Sequence, residues 1–120
     1  MFFFKPKFKV VNHWVEKNFE LTGEETPRQL VKLSIRKWQF IVRYLKTYKR
    51  DPLILKDGGK DTCALCKVYN YHDCTGCPVF HYTGYRYCEH TSYELYHKYG
   101  DLESAKLELD LLKEILKEMR

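Results

Sequence analysis

The chain has 120 residues, enough for one domain with a modest core and small enough for a metal staple to add usefully to its stability. Its net charge is +5, and no run approaches the roughly 18 apolar residues of a membrane span. The opening Met1-Phe-Phe-Phe-Lys-Pro6 is too short for the apolar region of a secretory signal, so the expected compartment is the cytoplasm and no membrane partner is expected.

Residues 1–22 are aromatic and mixed. The alternation of Phe4, Pro6, Phe8 and Val10 predicts a short strand, and Asn12 to Phe19 fits strand or helix equally. Glu25-Thr26-Pro27 then marks a helix start, with Thr26 as N-cap and Pro27 at the first helical position, where its missing N–H costs nothing. This long central helix is predicted to run to about Arg50. Asp51-Pro52 stops it, and Asp57-Gly58-Gly59-Lys60 forms a turn into the cysteine region. After Cys88, Thr91 and Glu94 have capping-box spacing and Gly100 supplies a C-terminal cap, which predicts a short helix over 92–99. Asp101 caps a final helix reaching the C-terminus, in which Leu102, Ala105, Leu109, Leu112, Leu116 and Met119 follow a three-four spacing. The fold class is therefore mainly α with a small irregular zinc-knuckle region, or α+β if residues 3–20 form strands. Residues 1–120 read as one domain, with 61–92 as its knuckle subregion.

Charge is unevenly spread. Residues 26–60 carry ten basic and two acidic side chains, while the segments on either side are neutral or mildly acidic. Within the long helix Arg28, Lys32, Arg36, Gln39, Arg43, Lys46 and Arg50 fall on one stripe at about 100° per residue. Leu30, Val31, Ile35, Trp38, Ile41, Val42 and Leu45 cover the opposite arc. A solvated helix face is ordinarily charged too, but it normally interleaves Glu with Lys, and here no acidic residue interrupts the basic side chains. Such a ridge can neutralise several phosphates and bind by counterion release, with arginine forks suited to phosphate oxygens. Arg28, Lys32, Arg36, Arg43, Lys46 and Arg50 are the candidate nucleic-acid contacts. No base-reading residue stands out.

The middle third reads Cys63-Ala-Leu-Cys66, seven residues, Cys74-Thr-Gly-Cys77, ten residues beginning with Pro78, Cys88-Glu-His90. Five cysteines within 26 residues, two pairs of them as Cys-x-x-Cys, suit metal coordination better than a disulfide framework. Each Cys-x-x-Cys turn presents two thiolates to one ion, and Gly76 helps the second turn close. The expectation is one zinc ion per chain, held by four of Cys63, Cys66, Cys74, Cys77 and Cys88, with His90 as a reserve ligand. His72, His81 and His97 repeat no ligand spacing and read as ordinary histidines. Tyr69, Tyr71, Phe80, Tyr82, Tyr85, Tyr87, Tyr93, Tyr96 and Tyr99 crowd the region. They read first as a packing shell around the metal and second as stacking or anchoring groups.

At these residues, Cys63 to Tyr93, the chain resembles small cysteine-rich proteins of phages and other mobile elements, a resemblance that implies a metal site and a viral or mobile-element setting. The cysteine spacing is also similar to that of the MYND zinc finger, a two-zinc protein-interaction module, through Cys63, Cys66, Cys74, Cys77, Cys88 and His97. It departs from that pattern because no cysteine follows Cys88. Either resemblance covers about a third of the chain.

No nucleophile with a base, paired carboxylates or phosphate-cradling glycine loop is recognisable, and the expected chain is not an enzyme. Three functions remain. The first is a zinc-binding accessory protein that binds nucleic acid through the basic helix ridge. The second is a zinc-stabilised interaction module, homodimeric or bound to a protein partner through a second apolar stripe, Leu107, Leu111 and Ile115, on the C-terminal helix. The third is an iron–sulfur or thiol redox protein.

Overall fold

A computed structural model gives the fold. It describes residues 14–19, 21–47, 64–69, 76–85, 91–99 and 101–119, with the side chains of residues 66–68 and 97 outside that description. The fold is mainly α: α1 (Pro27–Thr47), α2 (Ala64–Tyr69), α3 (Pro78–Thr83), α4 (Ser92–Tyr99) and α5 (Leu102–Glu118), with no strand among the described residues. Residues 14–18 are helical, which settles the choice left open for that stretch. The strand expected around Phe4 to Val10 lies outside the described residues, as do the turn at 57–60, the helix stop at 51–52 and the Gly100 cap. No helix among the described residues is long and apolar enough to cross a membrane.

The start of α1 is fixed by a reciprocal capping box. The Gln29 N–H donates to Thr26 Oγ1 at 3.1 Å, and the Thr26 N–H donates to Gln29 Oε1 at 2.8 Å. Just upstream, Gly23 adopts φ 90°, and the Glu25 carboxylate gathers the N–H groups of Thr22 and Gly23 into a tight turn. From there α1 buries Leu30, Val31, Ile35, Trp38, Ile41, Val42 and Leu45, the whole apolar arc read from the sequence. α5 begins with Asp101 accepting from the Ser104 N–H at 3.0 Å and buries Ala105, Leu109, Leu112 and Ile115.

α1 and α5 form the main helix pair, and α4 folds back on α5. The start of α1 meets the end of α5, because Arg28 Nη1 donates to the carbonyls of Leu116 and Met119 at 3.3 and 3.1 Å. A guanidinium there adds a donor to the carbonyls of the last turn, of which Leu116 also accepts from the Met119 N–H, and opposes the negative end of the helix dipole. Trp38 lies on the buried side of α1. Its ring meets Tyr96 edge-on at 4.9 Å and Tyr93 at 6.0 Å, so α4 is held to α1 by aromatic packing. The Ser92 hydroxyl donates to Glu108 Oε2 at 3.2 Å and ties the start of α4 to the middle of α5.

Two short helices, α2 and α3, stand where the sequence suggests an irregular region. Six residues are too few for an amphipathic period to register, yet α3 is bracketed by the usual signals. Pro78 opens it, and Gly84 closes it at φ 79° with its N–H on the Phe80 carbonyl.

Candidate nucleic-acid interface and the cysteine region

The basic ridge lies on the solvent side of α1, opposite the arc that packs on α5. Arg28, Lys32, Arg36, Gln39, Arg43 and Lys46 are all exposed, and Arg50 lies outside the described residues. From Lys32 to Lys46 the file spans about 20 Å at 1.5 Å per residue. Among the described residues, Lys32, Arg36, Arg43 and Lys46 make no ion pair. Their charge is therefore not neutralised within the described part of the protein. Arg28 differs, since its guanidinium already serves the carbonyls at the end of α5.

The ridge has a flank that sequence reading passes over. Leu33, Phe40 and Tyr44 run along α1 beside the cations and are only partly buried. Trp14 lies stacked on Phe40 with centroids 5.4 Å apart and rings 17° from parallel, and Phe40 meets Tyr44 at 6.0 Å. The spacing of 33, 40 and 44 is itself helical, so the file on α1 was open to detection. Its cover by Trp14 was not, because nothing local links residues 14 and 40.

One cation of α1 is not on the ridge. Lys37 is buried, 1% exposed, with Nζ 5.1 Å from the centroid of the Trp38 ring. It contributes to the interior and offers nothing to an external anion.

Of the five cysteines, only Cys77 has a described side chain. It is buried at the N-cap position of α3, in extended backbone at φ −63° and ψ 129°. Cys63, Cys74, Cys88 and His90 lie outside the described residues, as does the side chain of Cys66. Among the described residues, no three His, Cys, Asp or Glu side chains converge on one point. One contact bears on the arrangement of the two Cys-x-x-Cys segments. Tyr69, three residues after Cys66 in α2, packs so that a side chain at Gly76 would meet its ring at 3.5 Å. Burial, and then the charge of nearby Cys77, raise the Tyr69 phenol above its ordinary pKa. Helix α2, which carries Cys66, thus lies against the turn that carries Cys77. Gly76 has φ 87°, a conformation a glycine adopts without strain.

The aromatic residues of this region divide. Tyr93 and Tyr96 belong to the packing around Trp38, Tyr69 and Phe80 pack partly buried against the core, and Tyr82, Tyr85 and Tyr99 are exposed. Tyr71 and Tyr87 lie outside the described residues. The second stripe on α5 divides as well. Ile115 is in the core at 1% exposure, Leu111 is partly buried against it, and Leu107 is exposed at 50%. Leu107, Leu111 and Ile115 therefore do not form one exposed face, and Ile115 is satisfied within the chain. The sequence places them on a common side because they repeat every four residues. That spacing drifts around the helix by about 40° per step, which carries Ile115 into the seam with α1.

Comparison with protein-family models, curated proteins and solved structures finds no match to this chain.

Proposed function

We propose that the chain is a nucleic-acid-binding accessory protein of a virus or mobile element, without catalytic activity, in which the cysteine region carries one structural zinc ion and the basic ridge of α1 contacts phosphates. The observation that carries this reading is the exposed, acid-free file Lys32, Arg36, Arg43 and Lys46, none of them in an ion pair among the described residues. Each such cation can displace counterions from a polyanion, and that entropy gain depends on charge rather than on base sequence. Filter binding across a salt series tests it. The expected result is binding to DNA or RNA that weakens steeply with salt and shows little sequence preference. Absence of binding at about 50 mM salt, where such proteins bind most readily, sinks the reading.

The zinc part rests on the cysteine spacing and is supported by the packing of α2 against the Gly76–Cys77 turn, since four ligands drawn from both segments require the two to be neighbours. Four of Cys63, Cys66, Cys74, Cys77 and Cys88 would supply the thiolates, with His90 in reserve. Elemental analysis of protein purified without added metal should return one zinc per chain. Two ions would favour the two-site finger, and iron with a visible absorbance the redox alternative. A Cys66→Ser protein with full zinc and an unchanged melting temperature would contradict the assignment, because the binding free energy of a structural metal is folding free energy.

A second reading, a protein-interaction module, draws on Leu95 and Tyr99, one turn apart on α4, and on Leu107 of α5, all exposed. It becomes the better one if no nucleic acid binds.

A further inference from the structure

We infer that the ridge takes an unpaired strand, with phosphates on Lys32, Arg36, Arg43 and Lys46 and bases stacked along the flank where Trp14 overlies Phe40 beside Tyr44; this rests on the nucleic-acid reading proposed above. Phe40 lies four residues after Arg36 and three before Arg43, so its ring neighbours both cations on the surface of α1. Tyr44 continues the file by one turn, with its ring 6.0 Å from that of Phe40. Both are partly exposed, whereas Trp38 and Ile41 of the same helix are buried.

Trp14 explains how the flank keeps its shape. It stacks on Phe40 and meets Phe19 edge-on at 5.7 Å and 75°. The rings are thus already packed together before any ligand arrives, which lowers the ordering cost of binding. A cationic track bordered by aromatic faces is the combination that holds single strands. Every base has a π-face to stack, and the track follows the backbone whatever the sequence. In a duplex those faces are already stacked on one another, so the flank would have nothing to take.

The test compares an oligothymidylate of about 20 nucleotides with its duplex at the same salt, using the full chain and the Tyr44→Leu variant. Preference for the single strand is expected. Tyr44→Leu should weaken single-strand binding by about tenfold, leaving duplex binding and the salt slope as they were. Equal affinity for both forms, with Tyr44→Leu indifferent and salt-dependent binding intact, overturns this inference and leaves the ridge reading standing. Absence of binding to either form overturns both. Should Tyr44→Leu fail to fold, tryptophan emission of the unaltered protein decides. Trp38 is only 2% exposed, so quenching on saturation with the oligonucleotide reports Trp14 and is expected. Unchanged emission at saturation overturns the inference.

Discussion

α1 and α5 bury similar apolar stripes against each other, and their outer faces differ in kind. The solvent side of α5 carries Glu103, Asp110, Glu114 and Glu118 interleaved with Lys106, Lys113 and Lys117, and Lys106 pairs with Glu103 at 3.8 Å. That is an ordinary solubilising surface: mixed in sign, nearly neutral, supported by spacings of three and four residues. The solvent side of α1 shows cations, glutamine and threonine, with no acid to balance them. Two helices of one protein, solvated alike, would be expected to resemble each other. The difference isolates what the outer face of α1 carries beyond solubility.

The largest effect should come from the buried side of α1, where α4 packs on it. Trp38 is buried against Tyr93 and Tyr96 of α4, so Trp38→Ala would leave a cavity that the neighbouring side chains cannot fully close. A loss of about 3–5 kcal/mol is expected, read as a lower urea midpoint. A change below about 1 kcal/mol would mean that α4 is not held to α1 by this aromatic packing.

A smaller effect separates the two outer faces directly. Arg36→Ala with Arg43→Ala should weaken binding by about 25- to 60-fold at 0.1 M salt and lower the salt slope by about 1.4–1.8, the share of two phosphate contacts. Lys113→Ala with Lys117→Ala removes the same formal charge from α5 and should change affinity by less than about threefold, because charges interleaved with acids release few counterions. Equal losses in the two double variants would reduce the ridge to a matter of net charge.

Periodicity and caps made the helical frame legible. The apolar arc of α1, the Thr26 and Asp101 starts and the exposure of the ridge all follow from local spacing, and local spacing is what a sequence displays. The features that escaped depend on residues far apart. Arg28 reads as one more phosphate contact until its bonds to Leu116 and Met119, 88 and 91 residues away, give it a partner. Trp14 gives no hint of Phe40. Lys37 follows the rule that charge faces water everywhere but in the fold, where the Trp38 ring lies against it. In the cysteine region the ligand types and their spacing are plain, whereas which four share an ion depends on how 7- and 10-residue links wrap, and spacing does not encode that.

The smallest effect lies in how the two helices begin. α1 is capped by a neutral pair, Thr26 and Gln29, while α5 is capped by an ionisable one, Asp101 on Ser104. Hydrogen bonds from the Ser104 side chain and then from its N–H hold the Asp101 carboxyl below its ordinary pKa, against the opposing effect of partial burial. A carboxyl whose folded value lies below the unfolded value of about 3.9 adds stability above that pH and loses it as pH falls through the folded value. The cap of α5 should therefore weaken below about pH 4 while the cap of α1 does not. Asp101→Asn keeps a good capping residue and removes the titration, so it should cost a few tenths of a kcal/mol at pH 7. The same variant should lose less stability than the unaltered chain between pH 7 and pH 3, read as a smaller drop in urea midpoint. Taking that difference between two chains cancels the other carboxyls. Parallel loss of stability in both down to pH 3 would show that the Ser104 contact carries no charge-dependent part, and the two helix starts would then be equivalent.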